Sequence, residues 1–250
     1  MLLLVLSPLE RLVPLHPEQK LLRRRWLDDL VYFILNPLPI TLIMAAVISL
    51  ALPPLRSLLP AAVPATIAAL PLWAQVPLAL IVAEVGFYAM HRLFHAVPFL
   101  WRFHAVHHSI ADLDWLASHR VHPLDQGLVA AASALPVLLL GFSDAAVAIW
   151  GASYFVQAHL IHSNVRLRLG WLEHVFASPH YHHWHHANGA APANFGAQLV
   201  FLDQIFGTLL RPPAAPAAYG ITEDVPAVMP LALLWPFTRP TPRPTSEIAE

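Results

Sequence analysis

Residues 72–95 read LWAQVPLALIVAEVGFYAMHRLFH. A helix crossing a bilayer needs about 20 mainly apolar residues, and this stretch supplies them with one acid, Glu84, and one base, Arg92. The span runs from Ile67 or Leu72 to Phe94. Its polar residues follow a pattern: Glu84, Tyr88, His91 and His95 recur at a 4-3-4 spacing and share one helix face. An ionisable group at such depth is costly and faces protein rather than lipid. Glu84 is therefore either a neighbour of a polar site or the cap of a polar helix contact.

Working outward, residues 30–52 are apolar apart from Asn36, Thr41 and Ser49, with Pro37 and Pro39 interrupting, and read as a first span. Residues 53–64 read as a turn. Residues 124–142 and 145–161 are two further apolar stretches joined at Gly141-Phe142-Ser143-Asp144. Each is short for a full crossing, so they form either two tilted helices or a hairpin returning to one face. Residues 225–237, within a Pro-rich tail (212–250), read as lying on the membrane surface. The chain of 250 residues is 57% hydrophobic and 12% charged, with mean hydropathy +0.57. Soluble domains hold about twice that share of charge. The expected fold is all-α: one domain over 1–250, an integral membrane bundle of about four transmembrane helices behind an N-terminal arm (1–29).

A net charge of −1 gives no reason to expect a nucleic-acid partner. Cysteine is absent, which removes disulfides, thiolate zinc sites and iron–sulfur clusters. Residues 2–6 are too short for a secretory h-region. The positive-inside rule places the arm, with Arg23, Arg24 and Arg25, in the cytoplasm. The 53–65 turn then lies outside, residues 91–123 inside, the 141–144 turn outside, and residues from 162 onward inside. Fifteen of the sixteen histidines lie between His91 and His186, and this alternation puts all fifteen at one face.

Three boxes stand out. His91-Arg-Leu-Phe-His95 places two imidazoles on one helix face, a pattern that interfacial histidines also produce. His104-Ala-Val-His107-His108 and His182-His-Trp-His185-His186 repeat one H-x-x-H-H spacing, and two copies point to metal binding. His159 and His162 aim at the same region from the end of the last apolar stretch, and His122 precedes Pro123; all three are candidate ligands or their partners. His119, His174, His180 and His183 read as outer partners or surface residues. Neutral imidazole suits zinc, copper, iron and nickel, and eight or more imidazoles exceed one ion's sphere, so two ions are expected. No box holds the glutamate of a zinc hydrolase. An all-nitrogen dinuclear site fits oxygen activation by iron better.

At these residues the chain resembles the fatty acid hydroxylase / sterol desaturase superfamily. The resemblance covers about residues 80–210. It includes the three boxes, Arg120-Val-His122-Pro123, His162-Ser-Asn164, Ser178-Pro179, Asn194-Phe195-Gly196 and Asp203-Gln-Ile-Phe206-Gly207-Thr208. It implies a membrane core with a cytosolic His-rich helical cap holding two iron ions, and O2 as co-substrate for hydroxylating or desaturating a lipid. By motif match it gives His91, His95, His104, His107, His108, His182, His185 and His186 as ligands, His122, His159 and His162 less directly, and Asn194 and Asp203 as supports of the cap. No catalytic residue beyond the ligands is implied.

No G-x-G-x-x-G unit for NAD or flavin is present, so electrons are expected from a separate donor, ferredoxin- or cytochrome-like, with its reductase. The lipid (a sterol, fatty acyl lipid, alkylglycerol or carotenoid) is expected to enter from a bilayer, a bacterial inner membrane with the site at its cytoplasmic face. Trp73, Phe87, Tyr88, Trp150, Tyr154 and Phe155 either line that path or pack helices. A His-rich metal transporter would instead spread ligands across both faces, and a zinc-dependent membrane hydrolase would need a base.

Overall fold

The computed structural model describes residues 2–238, and they are helical, with isolated bridges but no strands among them. The eleven α-helices of the described residues are α1 (Leu2–Leu12), α2 (Trp26–Leu35), α3 (Pro37–Leu58), α4 (Ala62–Ala68), α5 (Leu72–Ala96), α6 (Pro98–His108), α7 (Pro123–Leu140), α8 (Asp144–His162), α9 (Pro179–His185), α10 (Phe201–Phe206) and α11 (Met229–Thr238). By length and composition α3, α5 and α7 can cross a membrane. Three of the expected four or so spans are thus clear among the described residues, and a fourth is not clearly shown. α8 is long enough but carries Asp144, Gln157, His159 and His162 along an otherwise apolar helix.

The first span also differs from its expected bounds. The chain breaks at Asn36, because Pro37 and Pro39 lack the N–H groups that would continue the ladder; at the first turn of α3 those groups have no partner to lose. The buried Asn36 side chain donates to Val121 O (2.8 Å) and His119 O (3.2 Å), pinning the junction to the 119–121 loop. The expected turn at 53–64 is helix through Leu58 and again in α4. Arg56, in the last turn of α3, donates to the Leu138 and Leu139 carbonyls at the C-terminus of α7, where a cation opposes the helix dipole.

α7 packs between α3 and α5, and α5 also meets α6 and α8. Two glycines permit the close approach. A methyl on Gly86 of α5 would fall on the backbone carbonyl of Ala132 in α7, and one on Gly127 would meet Ile43 of α3 at 2.6 Å. Gln75, at the start of α5, accepts from the Ser143 N–H just past α7, so α5 and α7 are antiparallel. The ends of α5 and α8 and the start of α7 consequently share one end of the bundle, where the histidines gather. α11 buries Met229, Ala232 and Trp235, packs on α2 and α6, and leaves Leu231, Leu234 and Phe237 exposed.

The arm is not a loosely charged tail. Arg23 is buried, bonding Asp114 through two nitrogens (2.6 and 2.7 Å) and Asp29 at 2.6 Å, while Arg120 Nε donates to the other Asp29 oxygen at 2.5 Å. Two cations and two anions balance, and deleting one would strand a buried charge at about 3–5 kcal/mol. Arg23 is thus a structural ion rather than a solvated topology signal. Glu10 of α1 accepts the N–H groups of Trp115 and Asn164.

Two outcomes follow from this packing. Gly86→Leu should lower the melting temperature in detergent, costing at least about 1–3 kcal/mol for overpacking. Gly151→Ala, with nothing within 4 Å of the added methyl, should be neutral or stabilising by up to about 1 kcal/mol. Burial, with Asp114 adding, raises the Glu10 carboxyl from 4.5 to about 7. The folded state therefore holds that proton more tightly than the unfolded chain. Stability is greatest below the unfolded value and falls as pH rises to about 7. Melting temperatures from about pH 4.5 to 7.5 should show this decline, and Glu10→Gln should flatten it.

Candidate metal centre

The histidines sort into two groups. His91, His95, His104, His108 and His185 bring one ring nitrogen each within 4.8 Å of one another, and His107, His162, His182 and His186 do the same. In the first, Nε2 of His104 lies 3.0 Å from that of His91 and 3.1 Å from that of His108, which is 3.0 Å from that of His185. In the second, His162 Nε2 lies 3.1 Å from His107 Nε2 and 2.9 Å from His182 Nε2, which is 3.1 Å from His186 Nε2. The groups adjoin: the rings of His108 and His186 stack at 4.5 Å and His107 meets His186 at 4.6 Å.

The opposite ring nitrogens fix the protons. His91 Nδ1 donates to Phe195 O (2.7 Å), His107 Nδ1 to Arg120 O (3.1 Å), His162 Nδ1 to Ala158 O (2.6 Å) and His185 Nδ1 to Ala193 O (2.7 Å). A carbonyl only accepts, so each of these rings carries its hydrogen on Nδ1 and a bare lone pair on Nε2. His104 Nδ1 likewise meets Asp125 Oδ2 at 2.8 Å. In the His107–His162 pair, two lone pairs therefore face each other at 3.1 Å with no proton between them. Burial, reinforced by the neighbouring imidazoles, also holds His104, His107, His108, His182, His185 and His186 well below the usual histidine range. Neutral rings with converging lone pairs repel unless a cation sits between them, and outer acceptors of this kind are what orient metal-bound histidines. The residues fit two metal ions.

A loop supplies two of those acceptors. Asn194 has φ +57°, a left-handed conformation that asparagine tolerates; its side chain donates to Tyr181 O and Leu210 O and accepts from Leu210 N–H. Asp203 accepts from the Phe195 and Gly196 N–H groups and from the Tyr181 hydroxyl. Glu84 accepts from the Ala197 and Gln198 N–H groups. It therefore acts on the site at one remove, by holding the loop whose Phe195 carbonyl orients His91.

Two candidates stay outside both groups. His122 is the N-cap of α7: its Nδ1 accepts from Leu124 N–H and its Nε2 donates to Leu233 O. His159 turns to His119, Nε2 to Nε2 at 2.7 Å, beneath Phe155. His183 donates to Ser163 O, His180 to Pro212 O, and His174 is exposed. Of the six candidate path aromatics, Phe87 meets a site imidazole, His91, edge-to-face at 5.2 Å, whereas Trp73 is exposed and Trp150 is packed in the bundle core. Asp125 was missed in the sequence, although an acid two residues past His122-Pro123 in a first helical turn was there to be read.

The family model for fatty acid hydroxylase matches residues 76–208, more than half of the chain. The chain belongs to the fatty acid hydroxylase family. It is 39% identical over 173 residues to ornithine lipid hydroxylase OlsE of Rhizobium tropici, covering 68% of this chain and 52% of that protein. It is 26% identical over 157 residues to the alkylglycerol monooxygenase of Homo sapiens, covering 59% of this chain and 33% of that one. The chain thus spans about half the length of the first relative and a third of the second. No solved structure matches it.

Asp125→Ala should weaken binding of a divalent metal titrated into the purified protein by about 10–100-fold, the usual effect of losing such an outer partner. His107→Ala should lower the bound stoichiometry, while His122→Ala should keep it; metal analysis after gel filtration distinguishes them.

Proposed function

We propose that this chain is a membrane-bound, non-haem di-iron hydroxylase of lipids. The observation that carries the reading is the pair of adjoining, all-imidazole groups at one end of a lipid-facing bundle, with lone pairs turned inward. His91, His95, His104, His108 and His185 hold one iron, and His107, His162, His182 and His186 the other. When bound, the irons supply the oxidising power that inserts one atom of O2 into an unactivated C–H bond, with two electrons and two protons taking the other atom to water. The chain's own residues orient and insulate. The Phe195, Ala193, Arg120 and Ala158 carbonyls and Asp125 hold the imidazole tautomers, and burial of all but one edge of the cluster limits water.

Hydroxylation is favoured over desaturation because the two relatives are a hydroxylase and a monooxygenase, both oxygen-inserting enzymes. The substrate belongs to the class of ornithine lipids or alkylglycerols rather than free sterols. The electrons come from a separate ferredoxin- or cytochrome-like donor with its reductase. The site lies at the cytoplasmic face of a bacterial inner membrane, with Arg24, Arg25, Arg166 and Arg168 exposed on the same side as the histidines.

Purified protein should hold about two irons per chain. Cells producing it should accumulate a membrane lipid heavier by one oxygen atom, labelled from 18O2, and His107→Ala and His185→Ala should abolish the product. Stoichiometric zinc with ester cleavage, or metal flux in liposomes, would replace the reading.

A further inference from the structure

Above the first histidine group lies a cavity of about 460 Å3 whose floor is His95, His108 and His185. Its walls are Pro98 and Trp101 of α6, the 187–192 turn and residues 220–223. Among the described lining residues there is no lysine or arginine, and Glu223 is the one carboxylate. Trp101 Nε1–H donates to Glu223 Oε1 at 3.2 Å, while the Trp101 ring lies 5.2 Å from His95 and 5.4 Å from His108. A single indole therefore bridges the carboxylate and the cavity floor. The second Glu223 oxygen has one long contact, from the Thr222 hydroxyl at 3.5 Å, and so retains accepting capacity.

We infer that this cavity is a headgroup site and that Glu223 selects a lipid whose head carries an amine. The inference rests on the lipid-hydroxylase reading and deepens it. A half-buried carboxylate held at an indole N–H attracts an ammonium by charge and repels a phosphate head. The surroundings suit the rest of such a molecule. Residues 223–237 touch α6 at Trp101 and at Phe103, two residues that face opposite sides of that helix. Phe99, Val228, Leu231 and Leu234 are exposed, an apolar margin of the kind that seats acyl chains at an interface. The amine enters over Glu223 while the chains remain on this margin. A neutral head such as glycerol fills the same space without the charge pairing.

The test is native mass spectrometry of the detergent-solubilised full chain, with and without iron. The probes are a short-chain acyl lipid with a terminal amine on its head and its N-acetylated twin. Wild-type protein should bind the amine form about fivefold more tightly, the size expected of one part-exposed ion pair. Glu223→Gln should bind the two alike, and Glu223→Asp should keep part of the preference. Equal affinities in the wild type overturn the inference, as does an undiminished preference in Glu223→Gln. Turnover is read separately. Amine preference without oxygen gain in any lipid supports the headgroup site and removes the hydroxylase reading; oxygen gain without amine preference does the reverse.

Discussion

The His107 and His162 lone pairs that face one another at 3.1 Å are the constraint on which this structure turns. Neutral histidines do not gather this way for packing, because with both Nδ1 atoms committed to carbonyls the contact opposes acceptor to acceptor. The fold imposes that opposition by fixing acceptors behind the rings, and a cation between them relieves it. Those acceptors come from three places: the 193–195 loop, the Arg120 carbonyl and the helix carbonyl of Ala158. Much of the cap's polar network exists to hold them still. Asn194 and Asp203 bind the loop, and the Arg23–Asp29–Arg120–Asp114 cluster holds the segment that ends in the Arg120 carbonyl.

The boxes also interlock. In His104-x-x-His107-His108, the four-apart pair His104 and His108 joins the first group and His107 the second. In His182-x-x-His185-His186, the four-apart pair His182 and His186 joins the second group and His185 the first. Residues four apart project almost together on a helix, while the member beside the last one is turned by about 100°. Each of these two boxes thus lends two rings to one group and one to the other. Neither group can shift without dragging the helix that serves its neighbour.

The helical character, the spans at α3, α5 and α7 and the histidine boxes were legible because helix periodicity and apolar run length are written in residue types. So was the placing of the boxes at one end, since alternation of spans needs only their number and order. What was not legible depended on rotation and on backbone atoms. His159 and His162 lie three residues apart, and the 60° between them sufficed to send one to His119 and the other to the second histidine group. His122 precedes a proline at a helix start, and its ring serves the cap instead. The Asn194-Phe195-Gly196 motif marked the loop, but nothing in it showed that the Ala193 and Phe195 carbonyls would face His185 and His91. Arg23 reads only as part of a basic run that sets topology, and its partners Asp29 and Asp114 lie 6 and 91 positions away.

Glu84 and Asp125 show how the bundle sets the ligand geometry. Each is a buried acid on a membrane span, and each is costly at that depth unless paired. Glu84 on α5 pairs with the backbone of the 197–198 segment, and Asp125 on α7 with the His104 ring of α6. The spacing of α5 and α7 is held by the contact at Gly86, where the Ala132 carbonyl leaves room for hydrogen alone. Widening that contact by one methyl would carry His91, His95 and Glu84 away from Asp125 and the ring it holds. Helix packing within the apolar bundle and histidine spacing at its end are therefore one mechanical problem, and small residues in the spans are as much a part of the candidate metal centre as the loop that orients it.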